Sequence, residues 1–255
     1  MAGNEISAIR YLWRNLNHIS LDHIGIVNQI GAPNSSAYGF DTIHSEEELV
    51  EKIKTQSANK KADVYLNGEG ISLKQSGGSF SFNRIVRDKL LSLFQSVNIS
   101  DPNRIVQLLD EEIVQFHQGM INTRNRDWRN FFSEQDFKNL THYLMMISGQ
   151  GSPSLHPANY ILEVNRIISD DSDFKMWNFE DYFNEYKDRL SISIRRQWIG
   201  QNSHSESTRA VSIARRANNL PWVFDDVSGE PRTGWNSEVS EEERKTVYFI
   251  MIEKK

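Results

Sequence analysis

A carboxylate and an ammonium bracket the stretch Asp63-Val-Tyr-Leu-Asn-Gly-Glu-Gly-Ile-Ser-Leu-Lys74. Hydrolysis of a phosphodiester calls for hard oxygen ligands around a divalent cation that polarises phosphate and acidifies water. It also calls for a group that orients or deprotonates the nucleophile, or balances charge on the phosphate as it reacts. Asp63 supplies the first kind of group and Lys74 the second. The same two residues would also make an ordinary cross-strand ion pair on an exposed hairpin, a weakly stabilising feature.

The elements that must position this pair can be read from the surrounding pattern. Two short β-forming runs flank Asn67-Gly68-Glu69-Gly70, a tight-turn composition. Alternation puts Val64, Leu66, Ile71 and Leu73 on one face and Asp63, Tyr65, Ser72 and Lys74 on the other. A four-residue loop would set Asp63 opposite Lys74; a two-residue Asn67-Gly68 turn would set Asp63 opposite Ser72, with Lys74 on the diagonal. Upstream, Ser45-Glu46-Glu47-Glu48 reads as a capping box, opening a helix buried through Leu49 and Ile53. Downstream, Gln75 to Asn83 is a polar stretch, and Arg84 to Phe94 reads as an amphipathic helix. Asp101-Pro102 opens a further helix, and Asp127 to Ile147 has another helical pattern. Tyr160 to Ile168 leans to strand at its start, Phe179 to Leu190 is helical, and Val247 to Ile252 forms a closing strand.

This arrangement resembles the PD-(D/E)xK nuclease superfamily and, within it, the type II restriction endonucleases. Asp63 matches the pattern's first acid, and Ser72-Leu73-Lys74 falls on its (Asp/Glu)-x-Lys triplet, with Lys74 as the lysine. The likeness covers roughly residues 45 to 95. Two positions depart from the pattern: Ser72 replaces the second acid, and Ala62 replaces the proline. The resemblance implies a catalytic set of Asp63, Lys74, Ser72 and Glu69, and a Mg²⁺ shell of Asp63, Ser72 and Glu48. Glu46, Glu47 and Glu51 are further carboxylates that could stand in for the missing acid.

DNA contacts are expected from the segment after the triplet, through Gln75, Ser76, Ser79 and Asn83, and through Arg84 and Arg87 near a helix start. A second basic patch holds Arg195, Arg196, Arg215 and Arg216; from Arg189 to Arg216, six arginines face a single acid, so the segment carries +5 in a chain of net charge −5. Nucleic-acid binding depends on local basic surface rather than on total charge. Arg124 to Asn130 is a third patch of similar chemistry.

The remaining composition excludes more than it assigns. There are no cysteines, so neither a disulfide framework nor a thiolate metal site is available. No HExxH pair, dinucleotide fingerprint, Walker lysine or Gly-x-Ser-x-Gly elbow occurs. No apolar run reaches membrane-helix length and no signal-peptide pattern opens the chain, so a cytoplasmic protein without a membrane partner is expected. With 255 residues and 38% hydrophobic content, a substantial core is available.

The fold expected is mixed α/β: a small central mixed β-sheet flanked by helices, restriction-endonuclease-like, with additional helical elements. One nuclease domain would span residues 1–255, its core about 45–97 plus C-terminal strands, with 98–200 a largely helical insertion that could form a subdomain. The function implied is Mg²⁺-dependent, site-specific hydrolysis of double-stranded DNA. Its partners would be duplex DNA, a second copy of the chain in a homodimer, and a cognate DNA methyltransferase acting on the same site. The alternatives are a repair or phage nuclease of the same superfamily, or a non-catalytic DNA-binding module.

Overall fold

A computed structural model describes residues 3–54, 60–77, 80–117, 120, 125–148, 153–198 and 244–252. In chain order the elements are α1 (Gly3–Arg14), β1 (Ser20–Leu21), β2 (Gly25–Ile26), β3 (Ile30–Pro33), β4 (Phe40–Thr42), α2 (Glu46–Lys54), β5 (Val64–Leu66) and β6 (Glu69–Gln75). There follow β7 (Phe80–Val86), α3 (Leu90–Ser96), α4 (Pro102–His117), β8 (Asn125–Asp127) and α5 (Glu134–His142). The chain continues through β9 (Tyr160–Val164), β10 (Phe174–Trp177), α6 (Phe179–Tyr186), β11 (Leu190–Trp198) and β12 (Arg244–Ile252). Two compact units result: Met1–Phe82 with Lys138–Leu190 and Ile252–Lys255, and Asn83–Phe137 with Ser191–Met251. No helix among the described residues is long and apolar enough to cross a membrane.

The first unit is built on a six-stranded sheet of order β10-β9-β6-β5-β3-β4. Its pairs are antiparallel except β6 with β9, which run parallel, so the sheet is mixed as expected. One face buries Val64, Leu66, Ile71, Leu73, Leu162, Val164, Phe174 and Met176 in a core shared with Ala8, Ile9 and Leu12 of α1 and Leu49 and Ile53 of α2. Alternation of small strands with helical stripes at i, i+3, i+4 and i+7 is what lets these elements close on one another. Each fully buried aliphatic side chain contributes about 1.5–3 kcal/mol, which makes this face the anchor of the hairpin.

Leu66 pairs with Glu69, so the hairpin turn has two residues. Asn67 and Gly68 both have positive φ, 51° and 85°, as a two-residue hairpin turn of right-handed twist requires. The Asn67 amide pins that turn to the preceding chain: its Nδ2 donates to the Ile24 and Ile26 carbonyls, and its Oδ1 accepts from the Asn28 and Gln29 N–H groups. At Gly70 a side chain is excluded instead by proximity, since a Cβ would lie 2.6 Å from the Pro157 carbonyl oxygen.

The second unit holds a four-stranded sheet of order β7-β12-β11-β8 with α3 and α4. Two local expectations are corrected here. Residues from Phe80 to Val86 form strand β7, so Arg84 to Val86 end a strand instead of opening the expected helix, and α3 begins only at Leu90. The alternation Phe80-Ser81-Phe82 and the β-branched pair Ile85-Val86 favour a period of two, which overrides the helical spacing further on. Between residues 98 and 200, α4, α5 and α6 are interleaved with β8, β9, β10 and β11. β9 and β10 join the central sheet, where a nearly continuous apolar run such as Ile161-Leu162-Glu163-Val164 suits a strand covered on both faces. The stretch from Thr208 to Asn218, whose sequence also reads as a basic helix, lies outside the described residues.

Candidate active site

Asp63 immediately precedes β5, whose register with β6 ends at Val64–Ile71, and its backbone N–H donates to the Ile71 carbonyl at 2.8 Å. Its Oδ2 accepts the Leu73 backbone N–H at 2.7 Å, which locks the carboxylate onto the neighbouring strand. Burial pushes the Asp63 carboxyl up from the usual carboxylate range; the Lys74 charge and the Leu73 N–H oppose the rise, with smaller help from Lys61 and Ser72. A buried carboxyl fixed by the Leu73 amide and the Ser72 hydroxyl costs free energy as an anion unless a positive charge is near.

Lys74 donates from Nζ to Ser72 Oγ at 2.8 Å and to the Leu73 carbonyl at 3.0 Å. Its ammonium is thus seated on two strand oxygens, not clasped to Asp63 as a simple cross-strand ion pair would have it. Ser72 is 3% exposed, so its hydroxyl is a fixed and buried oxygen at the position where the family pattern carries an acid.

The segment bearing these groups is anchored from behind by His156. Its carbonyl accepts the Lys61 and Ala62 N–H groups at 3.0 and 2.9 Å. Its ring bridges the Tyr65 hydroxyl and the Asn34 carbonyl at 3.0 and 2.9 Å. A carbonyl can only accept, so Nε2 carries the proton and Nδ1 accepts from Tyr65. Burial lowers the His156 pKa, which keeps the ring neutral in this role.

Two residues absent from the sequence-based site belong to it. Glu5, in the first turn of α1, has its carboxyl pushed up by burial and by the Asp63 charge, while Lys74 draws it down. Glu5 is spaced i, i+3, i+4 and i+7 with Ala8, Ile9 and Leu12, all buried, so an acid in line with the apolar stripe was a readable signal. Lys61, two residues before Asp63, is the other; burial pulls its ammonium down to about 8, Lys74 adds to the fall, and Asp63 resists it.

Other expected members are engaged elsewhere. Glu48 accepts the His44 N–H at 2.9 Å and pairs with Lys52 at 3.5 Å, because it serves the start of α2. Glu46 is held by Arg14 at 2.7 Å and by Arg10 at 3.2 Å. Glu69 sits beside the turn, three residues from Ser72, and strand alternation turns it to the opposite face. The acid whose charge couples to Asp63 and Lys74 is therefore Glu5 of α1, while Glu46 and Glu48 of α2 are held by partners of their own. Glu163 lies in register with Lys74 on β9, but its carboxylate accepts the Trp177 indole N–H at 2.9 Å and the Tyr186 hydroxyl at 2.7 Å.

Of the residues expected to touch DNA, Gln75 ends β6 exposed, and Ser76 donates to Asn165 Oδ1 at 2.6 Å. Asn83 and Arg84 lie on β7, and Arg195 and Arg196 on β11. Arg87 follows β7 in a 3₁₀ turn and forms a two-pronged pair with Asp110, with contacts of 2.7 Å from both Nε and Nη2. In the third patch, Arg126 pairs with Glu112 at 2.6 Å, and Arg129 pairs with Asp127 at 3.3 Å and stacks on Trp128. Ser79, Arg124, Arg215 and Arg216 lie outside the described residues.

Among the described residues, no group of three or more Asp, Glu or His side chains gathers as a metal cage. The oxygen donors at hand are two carboxylates, Asp63 and Glu5, and the Ser72 hydroxyl. That set fits Mg²⁺, which keeps several waters and is held by one or two carboxylates plus phosphate, and it fits poorly a cation needing a full protein cage.

No protein-family model and no curated protein sequence matches this chain. Among solved structures, the chain is similar to restriction endonuclease MspI in complex with its cognate DNA, at 13% identity and a TM-score of 0.27. The alignment covers 76% of this chain and 66% of that one. At that TM-score the likeness decides neither fold nor chemistry.

Proposed function

We propose that this protein is a Mg²⁺-dependent endonuclease that hydrolyses phosphodiester bonds of double-stranded DNA at a specific site, as a type II restriction endonuclease with a restriction-endonuclease-like catalytic core. The observation that carries the reading is Lys74 seated on Ser72 Oγ and the Leu73 carbonyl, beside a desolvated Asp63 carboxylate. Asp63 and Glu5 hold the cation, and Ser72 contributes a neutral oxygen where the family pattern has its second acid. Mg²⁺, when bound, supplies Lewis-acid polarisation of the scissile phosphate and lowers the pKa of water. Lys74 orients the attacking water and balances the charge that grows on the phosphate oxygens. The exposed end of β6, at Gln75, and the basic segments containing Arg84, Arg195 and Arg196 contact the duplex backbone or bases. A homodimer would cut both strands of a palindrome, and a methyltransferase of the same specificity would protect the host site.

The test is incubation of the purified protein with unmethylated DNA of mixed sequence, in Mg²⁺ or in EDTA. Discrete fragments that require Mg²⁺ and share end sequences support the reading; a smear points to a nuclease without sequence preference. One observation favours a second reading, a non-catalytic DNA-binding module: the site lacks the second acid at Ser72. That reading expects binding that survives EDTA and intact DNA at every metal concentration.

A further inference from the structure

Lys61 has a role to fill that the fold itself does not explain. Its backbone N–H is fixed by the His156 carbonyl at 3.0 Å, so the residue is held beside Asp63 rather than left on a loose loop. The side chain is partly shielded from solvent, and among the described residues it makes neither a hydrogen bond nor an ion pair. Its charged neighbours are Asp63 on its own segment and Lys74 on β6. A half-buried ammonium beside a second ammonium, with no carboxylate in contact among the described residues, is unfavourable in the free protein. A bound anion would reverse that balance.

We propose that Lys61 is a second substrate-binding cation of this site, contacting a non-bridging phosphate oxygen of the DNA strand while Lys74 serves the scissile phosphate. This rests on the nuclease reading above. The side chain is a compact point charge, suited to a phosphate oxygen and not to the two-pronged reading of a base edge. Its backbone lies two residues from Asp63, so the phosphate it holds is the scissile one or its immediate neighbour. Two lysines on one phosphate backbone would also fix the strand's register over Asp63.

The experiment compares wild type, Lys61→Met and Lys61→Arg for binding of a fluorescent, unmethylated, mixed-sequence duplex in EDTA across a series of KCl concentrations. The same duplex is also followed for Mg²⁺-dependent cleavage. Loss of one phosphate contact lowers the slope of log K against log salt by about 0.9, and Lys61→Met should show that drop with binding weakened about tenfold at low salt. Lys61→Arg should keep the slope. Thermal unfolding of Lys61→Met at or above the wild-type temperature separates the loss from misfolding. An unchanged slope and affinity in Lys61→Met, with the wild type cutting normally, overturns the Lys61 contact alone. A wild type that neither binds nor cuts overturns the nuclease reading itself, and the Lys61 contact with it.

Discussion

Lys74 Nζ lies 2.8 Å from Ser72 Oγ, two positions back along the same strand. Residues i and i+2 of a strand share a face, so the pair is a local consequence of β6 being extended. What is not local is Asp63, which reaches this pair only because the hairpin closes through two residues. The geometry of the site is therefore set by a turn remote from its chemistry.

Asp63 and Glu5 both carry carboxyls raised by burial, and the Asp63 charge raises Glu5 further, so charging both in the metal-free protein carries a cost. A divalent cation at tenfold excess over its dissociation constant should stabilise the fold by about 1.4 kcal/mol, which is about 3–5 °C for a chain of this size. Asp63→Asn should unfold at or above the wild-type temperature without metal, and should lose most of the Mg²⁺-induced rise. Glu5→Gln should lose part of it. Differential scanning fluorimetry with and without Mg²⁺ checks both; a full Mg²⁺ response in Asp63→Asn would place the cation elsewhere.

The two glycines of the hairpin should respond differently to alanine. Gly68→Ala puts a Cβ into open space but strains a φ of +85°, and should cost about 1 kcal/mol. Gly70→Ala drives a Cβ to 2.6 Å from the Pro157 carbonyl oxygen, and should cost about 2–3 kcal/mol. Urea unfolding of both variants gives the ranking, and Gly70→Ala should also lower activity by shifting the strand that carries Ser72 and Lys74. Equal stability of the two variants would contradict the close approach at Pro157.

His156 gives stability a pH dependence of known sign. Its folded pKa is lowered from 6.5 by burial, so below 6.5 the unfolded chain takes up a proton that the folded ring resists. The contribution is complete above 6.5 and is lost as pH falls toward the folded value. Unfolding free energies measured from pH 7.5 to 5.5 should fall more steeply in the wild type than in His156→Gln. Parallel curves would mean that the ring is charged, or freely solvated, in the folded protein.

The hairpin, its polar face and the capped helix at α2 were legible because period-two alternation, Asn67-Gly68 and Ser45-x-x-Glu48 each act over a few residues. The mixed sheet was legible as a class, but its order was not, since pairing β6 with β9 joins residues nearly 90 apart along the chain. Arg84 to Val86 shows the limit of local pattern: the same residues fit a helical stripe or the end of a strand, and the sheet β7-β12-β11-β8 takes the strand. Glu5 carried a local signal, an acid in line with the apolar stripe of α1, but which groups it faces depends on where α1 docks. Glu48 was misplaced for the converse reason, since its local capping role already satisfies its carboxylate.

The most direct test of the account is single-turnover cleavage of unmethylated duplex DNA in Mg²⁺ by wild type and Lys74→Ala, at matched binding saturation. The account predicts a loss of about 10²–10³-fold in the cleavage rate constant with the unfolding temperature changed little; matched saturation removes the weaker binding that loss of a phosphate contact brings. Equal rates in the two proteins, or a wild type that leaves the DNA intact while folded and bound, would contradict it.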